Sequence, residues 1–172
     1  TKQNRCVLEG VEPGPDMVIL DPAGIDYIQN GPAGASGAAG EIYKWLGIAN
    51  DSAFPQAVTL AITEPLQAKY HAYDTKDVIH AVGPDFRIRK RTRDEALAEL
   101  TLVYKRALTE YGATMIRLDM QKSLRLLPLS GGIFAGPFRG QLADLTAEAL
   151  EQGFMELSPV HQQSILNAPS LE

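Results

Sequence analysis

The sequence has little cysteine, no excess of basic charge and no long hydrophobic run. Cys6 is the one cysteine in 172 residues. It excludes an internal disulfide and a cysteine-based zinc cluster, and it indicates a reducing, intracellular setting, in cytoplasm or nucleus. The 16 Lys and Arg residues are outnumbered by 21 Asp and Glu residues, which gives a net charge of −5. This balance argues against a nucleic-acid partner, because phosphate backbones usually require a basic face. No apolar run approaches the length of a membrane span, so no membrane partner is expected.

The composition is that of an ordinary globular domain. Hydrophobic residues make up 45% of the chain and charged residues 22%, both close to the averages for such domains. A chain of 172 residues is long enough for one domain with a full core. We therefore predict a single domain over residues 1–172. The sequence does not begin with Met, so a domain excised from a longer protein is one interpretation.

The first half of the chain shows short apolar runs and one helix signal. The runs "MVILD", "AVTLAI" and "VIHAVG" predict buried strands at 17–21, 57–62 and 78–83. A helix is predicted over 38–46, ended by Gly47. The segment 63–77 is interpreted as a connecting loop or a bent ribbon.

The second half predicts a longer helix and a second glycine-rich segment. Apolar residues recur at helical spacing in "RDEALAELTLVYKRALTEYG", with Gly112 as the expected stop. After it we expect strands at 114–119 and 124–130, a glycine loop at 131–137, a helix over 139–152, a strand at 154–157 and a helix at 159–166. Alternating strands and helices indicate an α/β domain with a largely parallel or mixed sheet.

Two glycine-rich loops each follow a predicted strand and precede a helix. In open α/β sheets, ligands bind at the carboxyl ends of the strands. Backbone N–H groups at a helix start favour an anion such as phosphate, and glycine lets the backbone approach it closely. The loop 30–40 contains neither a Walker A sequence nor G-x-G-x-x-G, so neither of these phosphate motifs is present. The alternative is that small residues only allow the helix to pack close to the sheet.

Three segments follow one another in a recognisable order: "AGEIYKWLG", "DVIHAVGPDF" and "LLPLSGGIFAGP". Together they resemble the macro domain family of ADP-ribose-binding modules, and the similarity extends over about residues 16–153. Gly131 stands where the family usually has Thr. The resemblance implies a three-layer α/β/α fold with a central mixed, largely parallel sheet. It also implies ADP-ribose or an ADP-ribosylated protein as the partner, with no cofactor and no metal.

The resemblance also implies a set of ligand-binding residues. The loop 35–38 would hold one side of the diphosphate and the distal ribose, and 130–134 would hold the other side through backbone N–H groups, with the Phe134 ring near the distal ribose. The implied residues are Gly24, Ala35, Ser36, Gly37, Ala38, Ser130, Gly131, Gly132, Ile133 and Phe134.

Several positions depart from the family pattern. Where the family has "N-A-A-N", this chain reads "DPAG", which places Asp21 and Gly24 at the two Asn positions, with a shift of one residue as an alternative. Gly24 has no side chain with which to hold a ribose hydroxyl. Val11 stands where an Asp that reads adenine is usual, and Glu12 or Asp16 are the candidate substitutes. Ala35 replaces a usual glycine in the first loop.

Individual side chains give one candidate catalytic residue. Asp21, at the end of a buried strand and expected to face the site, could accept hydrogen bonds from ribose or act as a general base. The alternative is a carboxylate that caps a turn before Pro22. His80 is interpreted as a buried, hydrogen-bonded structural residue, with a catalytic base as the alternative. The basic run 87–93 is interpreted as a solvated helix approach, with contact to a nucleic acid or a poly-ADP-ribose chain as the alternative.

Three functional hypotheses follow. The first is a macro domain that binds free or protein-linked ADP-ribose. The second is a hydrolase that removes ADP-ribose from proteins or acts on O-acetyl-ADP-ribose, with Asp21 as its candidate base. The third is a protein-interaction scaffold that has kept the fold and lost the ligand.

Overall fold

A mixed four-stranded sheet lies at the centre of the computed structural model, which describes residues 13–169. The strands are β1 (Met17–Ala23), β2 (Ala68–Tyr73), β3 (Lys76–Val82) and β4 (Ser123–Arg125). Their order is β2-β3-β1-β4, with β1 parallel to both β3 and β4 and β2 antiparallel to β3. The predicted mixed, largely parallel sheet is confirmed.

Helices cover both faces of this sheet. They are α1 (Ile25–Asn30), α2 (Gly37–Leu46), α3 (Gln56–Ala61), α4 (Arg93–Leu118), α5 (Leu142–Met155) and α6 (Pro159–Leu166), with a 3-10 segment at Gly132–Phe138. Val18 and Leu20 of β1 pack in one core with α4 and α5, whereas Ile19 lies in a second core with α1, α2 and α3. Successive residues of a strand point to opposite faces. The predicted three-layer α/β/α architecture is confirmed.

Residues 57–61 of the run 57–62 lie in helix α3 and Ile62 is its C-cap residue, so the strand predicted there is wrong. Val58 and Ile62 are fully buried, whereas Leu60 between them is 71% exposed. In a strand these three side chains would share one face, but in a helix only positions three or four apart do so. The prediction failed because short apolar runs do not distinguish a strand from a helix segment.

Gly112 does not end the long helix. Helix α4 begins with a capping box between Thr92 and Glu95 and continues to Leu118, followed by Asp119 in the left-handed conformation. Gly112 lies inside it, where an added Cβ would come within 3.1 Å of the His161 Cβ on α6. The glycine therefore permits close packing of two helices, and the strand predicted at 114–119 is wrong.

Other boundaries also differ from the sequence-based expectation. The strand predicted at 124–130 is limited to Ser123–Arg125, and the strand predicted at 154–157 is instead the end of α5 and the residues after it. The segment 63–77 contains β2, which forms a hairpin with β3, so the bent-ribbon interpretation holds. Helix α1 was not predicted.

Candidate functional site

Both glycine-rich loops lie at the edge of the sheet where the parallel strands β1, β3 and β4 end. The first loop, residues 31–36, follows β1 and α1 and leads into α2. The second loop, residues 129–131, follows β4 and leads into the 3-10 segment. Ligands bind at this edge in open α/β sheets. The topology therefore brings the two predicted ligand-binding segments to one side of the molecule.

The first loop rests directly on helix α2. A Cβ added to Gly40 would lie 2.5 Å from the main-chain oxygen of Ala35, so this close approach requires glycine. Gly37 has a φ of +63° and open space around its Cα. Ser36 is the N-cap of the ten-residue helix α2, but its side chain accepts no hydrogen bond from the helix. The first N–H groups of a helix have no intrahelical partner, so those of α2 are available to an anion.

The second loop is anchored to the end of β3. The Ser130 hydroxyl donates a 2.6 Å hydrogen bond to the main-chain oxygen of Pro84. A Cβ added to Gly83 would lie 2.6 Å from Ser130 Oγ, so the loop is packed against the β3 end. Ser130 is buried and its hydroxyl is engaged with Pro84, so that hydroxyl is not available to a ligand. Gly132 has a φ of +59° and nothing within 4 Å of an added Cβ.

Apolar side chains are exposed at the start of the 3-10 segment. Ile133 is 61% exposed and Phe134 is 37% exposed. Phe134 is held through its main-chain oxygen, which accepts a 3.0 Å hydrogen bond from the Phe86 N–H. The main chain of Phe134 is therefore fixed, while part of its side chain remains exposed for contact with a ligand.

Two arginines that the sequence analysis did not assign to the site flank this segment. The Arg87 guanidinium lies 4.7 Å from the centroid of the Phe134 ring. Hydrogen bonds from that guanidinium lower the pKa of the Asp85 carboxyl. Arg139 donates a 3.2 Å hydrogen bond to the main-chain oxygen of Gly132. The contact between Arg87 and Phe134 joins residues that are distant in sequence, so no local pattern indicates it.

Gly24 lies at the start of α1 beside an aromatic ring. It is the N-cap residue of that helix, and an added Cβ would lie 3.2 Å from the Tyr27 ring. The Tyr27 hydroxyl donates a 3.3 Å hydrogen bond to the main-chain oxygen of Gly34 in the first loop. Tyr27 thus connects the end of β1 to the glycine loop. Tyr27 is not among the predicted site residues, because α1 was not predicted.

Asp21 is in the core, so the expectation that it faces the ligand site is wrong. It has no exposed surface, and it shares the face of β1 that carries Ile19 and Ala23 beneath α2. Its Oδ2 lies 2.7 Å from His80 Nδ1. The turn-capping alternative also fails, because the residue lies within β1 and pairs in register with His80.

His80 is the centre of a buried polar cluster, as predicted for a structural histidine. Its Nε2 lies 2.9 Å from the Tyr73 hydroxyl. The tautomer with its proton on Nδ1 satisfies both contacts, since Nδ1–H donates to Asp21 and Nε2 accepts from Tyr73. Burial, and then the charge of Asp21, raises the pKa of Tyr43 well above its ordinary value. The Tyr43 hydroxyl is thus buried beside Asp21 in the same cluster.

Other candidates lie away from the loops or outside the described residues. Asp16 precedes β1 and so lies at the opposite edge of the sheet. Val11 and Glu12 are outside residues 13–169, so the adenine contact stays a prediction. Two depressions, of about 360 Å³ between β2 and α4 and about 320 Å³ between α4 and α6, are not lined by any predicted site residue.

Residues 13–169 contain neither a candidate metal cluster nor a helix suited to span a membrane. Between residues 13 and 169, no three His, Cys, Asp or Glu side chains are grouped so that they could hold a metal ion. None of the helices described there is both long and apolar enough to cross a membrane.

The fold has counterparts among solved structures. No protein-family model and no curated protein matches the chain. An alphavirus chain, P23pro-zbd, is 28% identical with a TM-score of 0.52 over 78% of this chain and 18% of its own, so this chain spans about a fifth of its length. A mutant of the Oceanobacillus iheyensis macrodomain is 17% identical with a TM-score of 0.52, over 90% of this chain and 83% of that one. A second mutant of that macrodomain, with ADPR (ADP-ribose), is 17% identical with a TM-score of 0.50, over 87% and 82%. Together with the sheet order and the two helical layers, these likenesses show that the chain has the macro domain fold.

Proposed function

We propose that this chain binds ADP-ribose, free or attached to a protein, at the carboxyl edge of its sheet. The observation that carries the proposal is the uncapped start of α2, placed by a glycine loop at the end of the central strand β1. A helix start of this kind is a general site for phosphate. The likeness to a macrodomain with ADPR supports a nucleotide diphosphate carrying a second ribose as the phosphate ligand.

Each loop would supply a different part of the binding site. The N–H groups at Gly37 and Ala38 would hold one side of the diphosphate, and those at Gly132 and Ile133 the other. Both pairs stand in the first turn of a helical segment, where N–H groups lack an intrahelical acceptor. The exposed Phe134 ring would lie against the distal ribose. The protein side of the site is therefore mainly backbone and apolar surface.

The hydrolase alternative has less support than binding. Its one candidate base, Asp21, is buried and hydrogen-bonded to His80. A general base must lie within hydrogen-bond reach of the proton that it removes, directly or through one water. Asp21 meets this requirement only if the core rearranges, so we do not assign it a catalytic role.

Titration calorimetry with ADP-ribose, with ADP and AMP as controls, tests the proposal. We expect micromolar binding of ADP-ribose and weaker binding of ADP and AMP, because these controls lack the distal ribose. A folded sample that gives no heat with any of the three would contradict the proposal and favour the scaffold alternative. Equal affinity for ADP and ADP-ribose would contradict the predicted ribose contact at Phe134.

Restoring an amide at Gly24 should strengthen binding. We expect Gly24→Asn to raise the affinity for ADP-ribose about 5-fold, since one net hydrogen bond is worth about 1 kcal/mol. The new Cβ would meet the Tyr27 ring at 3.2 Å, so that ring must move by a few tenths of an ångström. Calorimetry on the two proteins provides the comparison.

Gly14→Asn is the matched control. Gly14 precedes β1 at the opposite edge of the sheet and has nothing within 4 Å of an added Cβ. Its affinity for ADP-ribose should equal that of the unaltered protein. A Gly24→Asn variant that binds no better than Gly14→Asn would show that residue 24 does not face the ribose.

A further inference from the structure

Arg87 differs from the other arginines of the basic run in what its guanidinium contacts. Arg89 and Arg91 both pair with Glu99, and Arg93 pairs with Glu148 on α5. Arg87 pairs with Asp85, and its guanidinium also lies 4.7 Å from the centroid of the exposed Phe134 ring. The Arg91 guanidinium also lies over an aromatic ring, but that ring, Phe86, is buried. In this run, Arg87 therefore contacts a residue that the proposed function places at the ligand.

The Arg87 guanidinium is held in a defined orientation. Its Nε lies 2.9 Å from Asp85 Oδ1 and its Nη2 lies 2.6 Å from Asp85 Oδ2. The Arg87 main-chain N–H also donates to Asp85 Oδ1, at 2.9 Å. A bidentate arginine–carboxylate pair fixes the plane of the guanidinium as well as its position. A fixed plane can stack on an aromatic ring, which a mobile ammonium group cannot do.

The backbone around this pair is joined to the 3-10 segment at two points. The Phe86 N–H donates to the main-chain oxygen of Phe134. Gly136 has a φ of +48°, and an added Cβ would lie 3.0 Å from the main-chain oxygen of Phe86. Residues 85–87 and 134–136 therefore hold each other in register. The backbone that carries the Phe134 ring is therefore fixed relative to the backbone that carries Arg87.

We infer that Arg87, oriented by Asp85, is a positioning residue that holds the Phe134 ring in place for the distal ribose of the ligand. This inference rests on the proposed function. A ring ordered before binding loses less conformational freedom when the ligand arrives, which strengthens binding. The gain applies only to ligands that reach the ring. The Asp85–Arg87–Phe134 group thus favours ADP-ribose over ADP, which shares the diphosphate but ends before that point.

Arg87→Gln and Arg87→Lys test the inference by their effects on two ligands. Calorimetry should show an ADP-ribose affinity about 3- to 10-fold lower in both variants, with ADP affinity unchanged. The lysine variant keeps the positive charge and loses the planar, bidentate group. It therefore separates ring positioning from attraction of the diphosphate by charge.

Arg93→Gln is the matched control. Arg93 belongs to the same basic run and is also exposed and paired with a carboxylate, but that carboxylate is Glu148 on α5, and the arginine at the Phe134 ring is Arg87. Its affinities for ADP-ribose and ADP should not change. In the free protein, the Phe134 ring resonances, assigned with Phe134→Leu, should shift in Arg87→Gln and stay in place in Arg93→Gln.

The outcomes separate this inference from the proposed function. Binding of ADP-ribose by the unaltered protein, with an unchanged preference over ADP in Arg87→Gln, overturns the inference alone. Equal weakening of both ligands in Arg87→Gln, with full affinity in Arg87→Lys, overturns it in favour of a charge effect. Failure of the unaltered protein to bind ADP-ribose overturns the proposed function and, with it, the ligand role of Arg87.

Discussion

Gly132→Glu should reduce the affinity for ADP-ribose by more than about 100-fold. The substitution places a carboxylate at the start of the 3-10 segment, where the proposed ligand carries its diphosphate. Apposed like charges cost several kcal/mol, and each 1.4 kcal/mol is a factor of ten in affinity. Gly132 has open space around its Cα, so the new side chain meets no protein atom within 4 Å of its Cβ. Loss of binding would therefore report on the ligand site rather than on packing.

Gly47→Glu is the control for this prediction. Gly47 also has a positive φ, +82°, and nothing within 4 Å of an added Cβ. It follows the C-terminus of α2, about 15 Å from the start of that ten-residue helix. Both variants introduce the same charge and similar backbone strain. Gly47→Glu should retain full affinity, and thermal unfolding should show both variants folded. Equal affinity of the two variants for ADP-ribose would contradict the assignment of the second loop to the diphosphate.

The glycine-rich loops could be predicted because their signals are local. A run of small residues followed by a helical pattern needs no knowledge of the rest of the chain, and α2 was predicted to within one residue of Gly37–Leu46. The burial of β1 was also readable from its continuous apolar sequence. The resemblance of three ordered segments then gave the three-layer arrangement, which the sheet order confirms.

The side-chain partners within the site could not be predicted, because they depend on segments far apart in sequence. Arg87 meets Phe134 across 47 positions of the chain, and the local charge pattern around Arg87 indicates only a solvated surface. Gly112 was misread for a related reason. A glycine late in a helical pattern can mark the end of the helix, and only the packing of α6 against α4 explains why Gly112 lies inside it.

The face of the sheet toward which the Asp21 side chain points could not be predicted from the sequence either. Alternation of buried and exposed residues normally shows which face of the sheet a strand residue occupies. In β1 nearly every residue is buried, so the sequence carries no alternation from which to assign a face. The fold shows that Asp21 points into the layer below α2, toward His80. Because β1 is buried on both faces, as is typical of a central strand, its sequence does not show which way its one carboxylate points.

Asp21→Ala should lower the free energy of unfolding by about 1–3 kcal/mol. Removing the carboxylate leaves the buried Nδ1–H of His80 without an acceptor, and that magnitude is typical of an unsatisfied buried donor. His80 would lose the partner of Nδ1 while its Nε2 still faced Tyr73. Both Asp21 and His80 are fully buried, so water cannot replace the lost contact without opening the core. Urea unfolding followed by circular dichroism gives the change directly.

Asp21→Asn and Asp26→Ala make this result interpretable. Asn keeps an oxygen that can accept from His80 Nδ1–H, so it should cost clearly less stability than Ala. Asp26 lies on the exposed side of α1, and its removal should change stability by no more than about 0.5 kcal/mol.

If Asp21 were instead a general base, Asn and Ala would remove turnover equally, and neither would need to unfold the protein. An Asp21→Ala variant as stable as Asp26→Ala would contradict the structural role. A graded loss of stability from Asn to Ala would identify Asp21 as a core carboxylate that orients His80, which is what its burial and its 2.7 Å contact require.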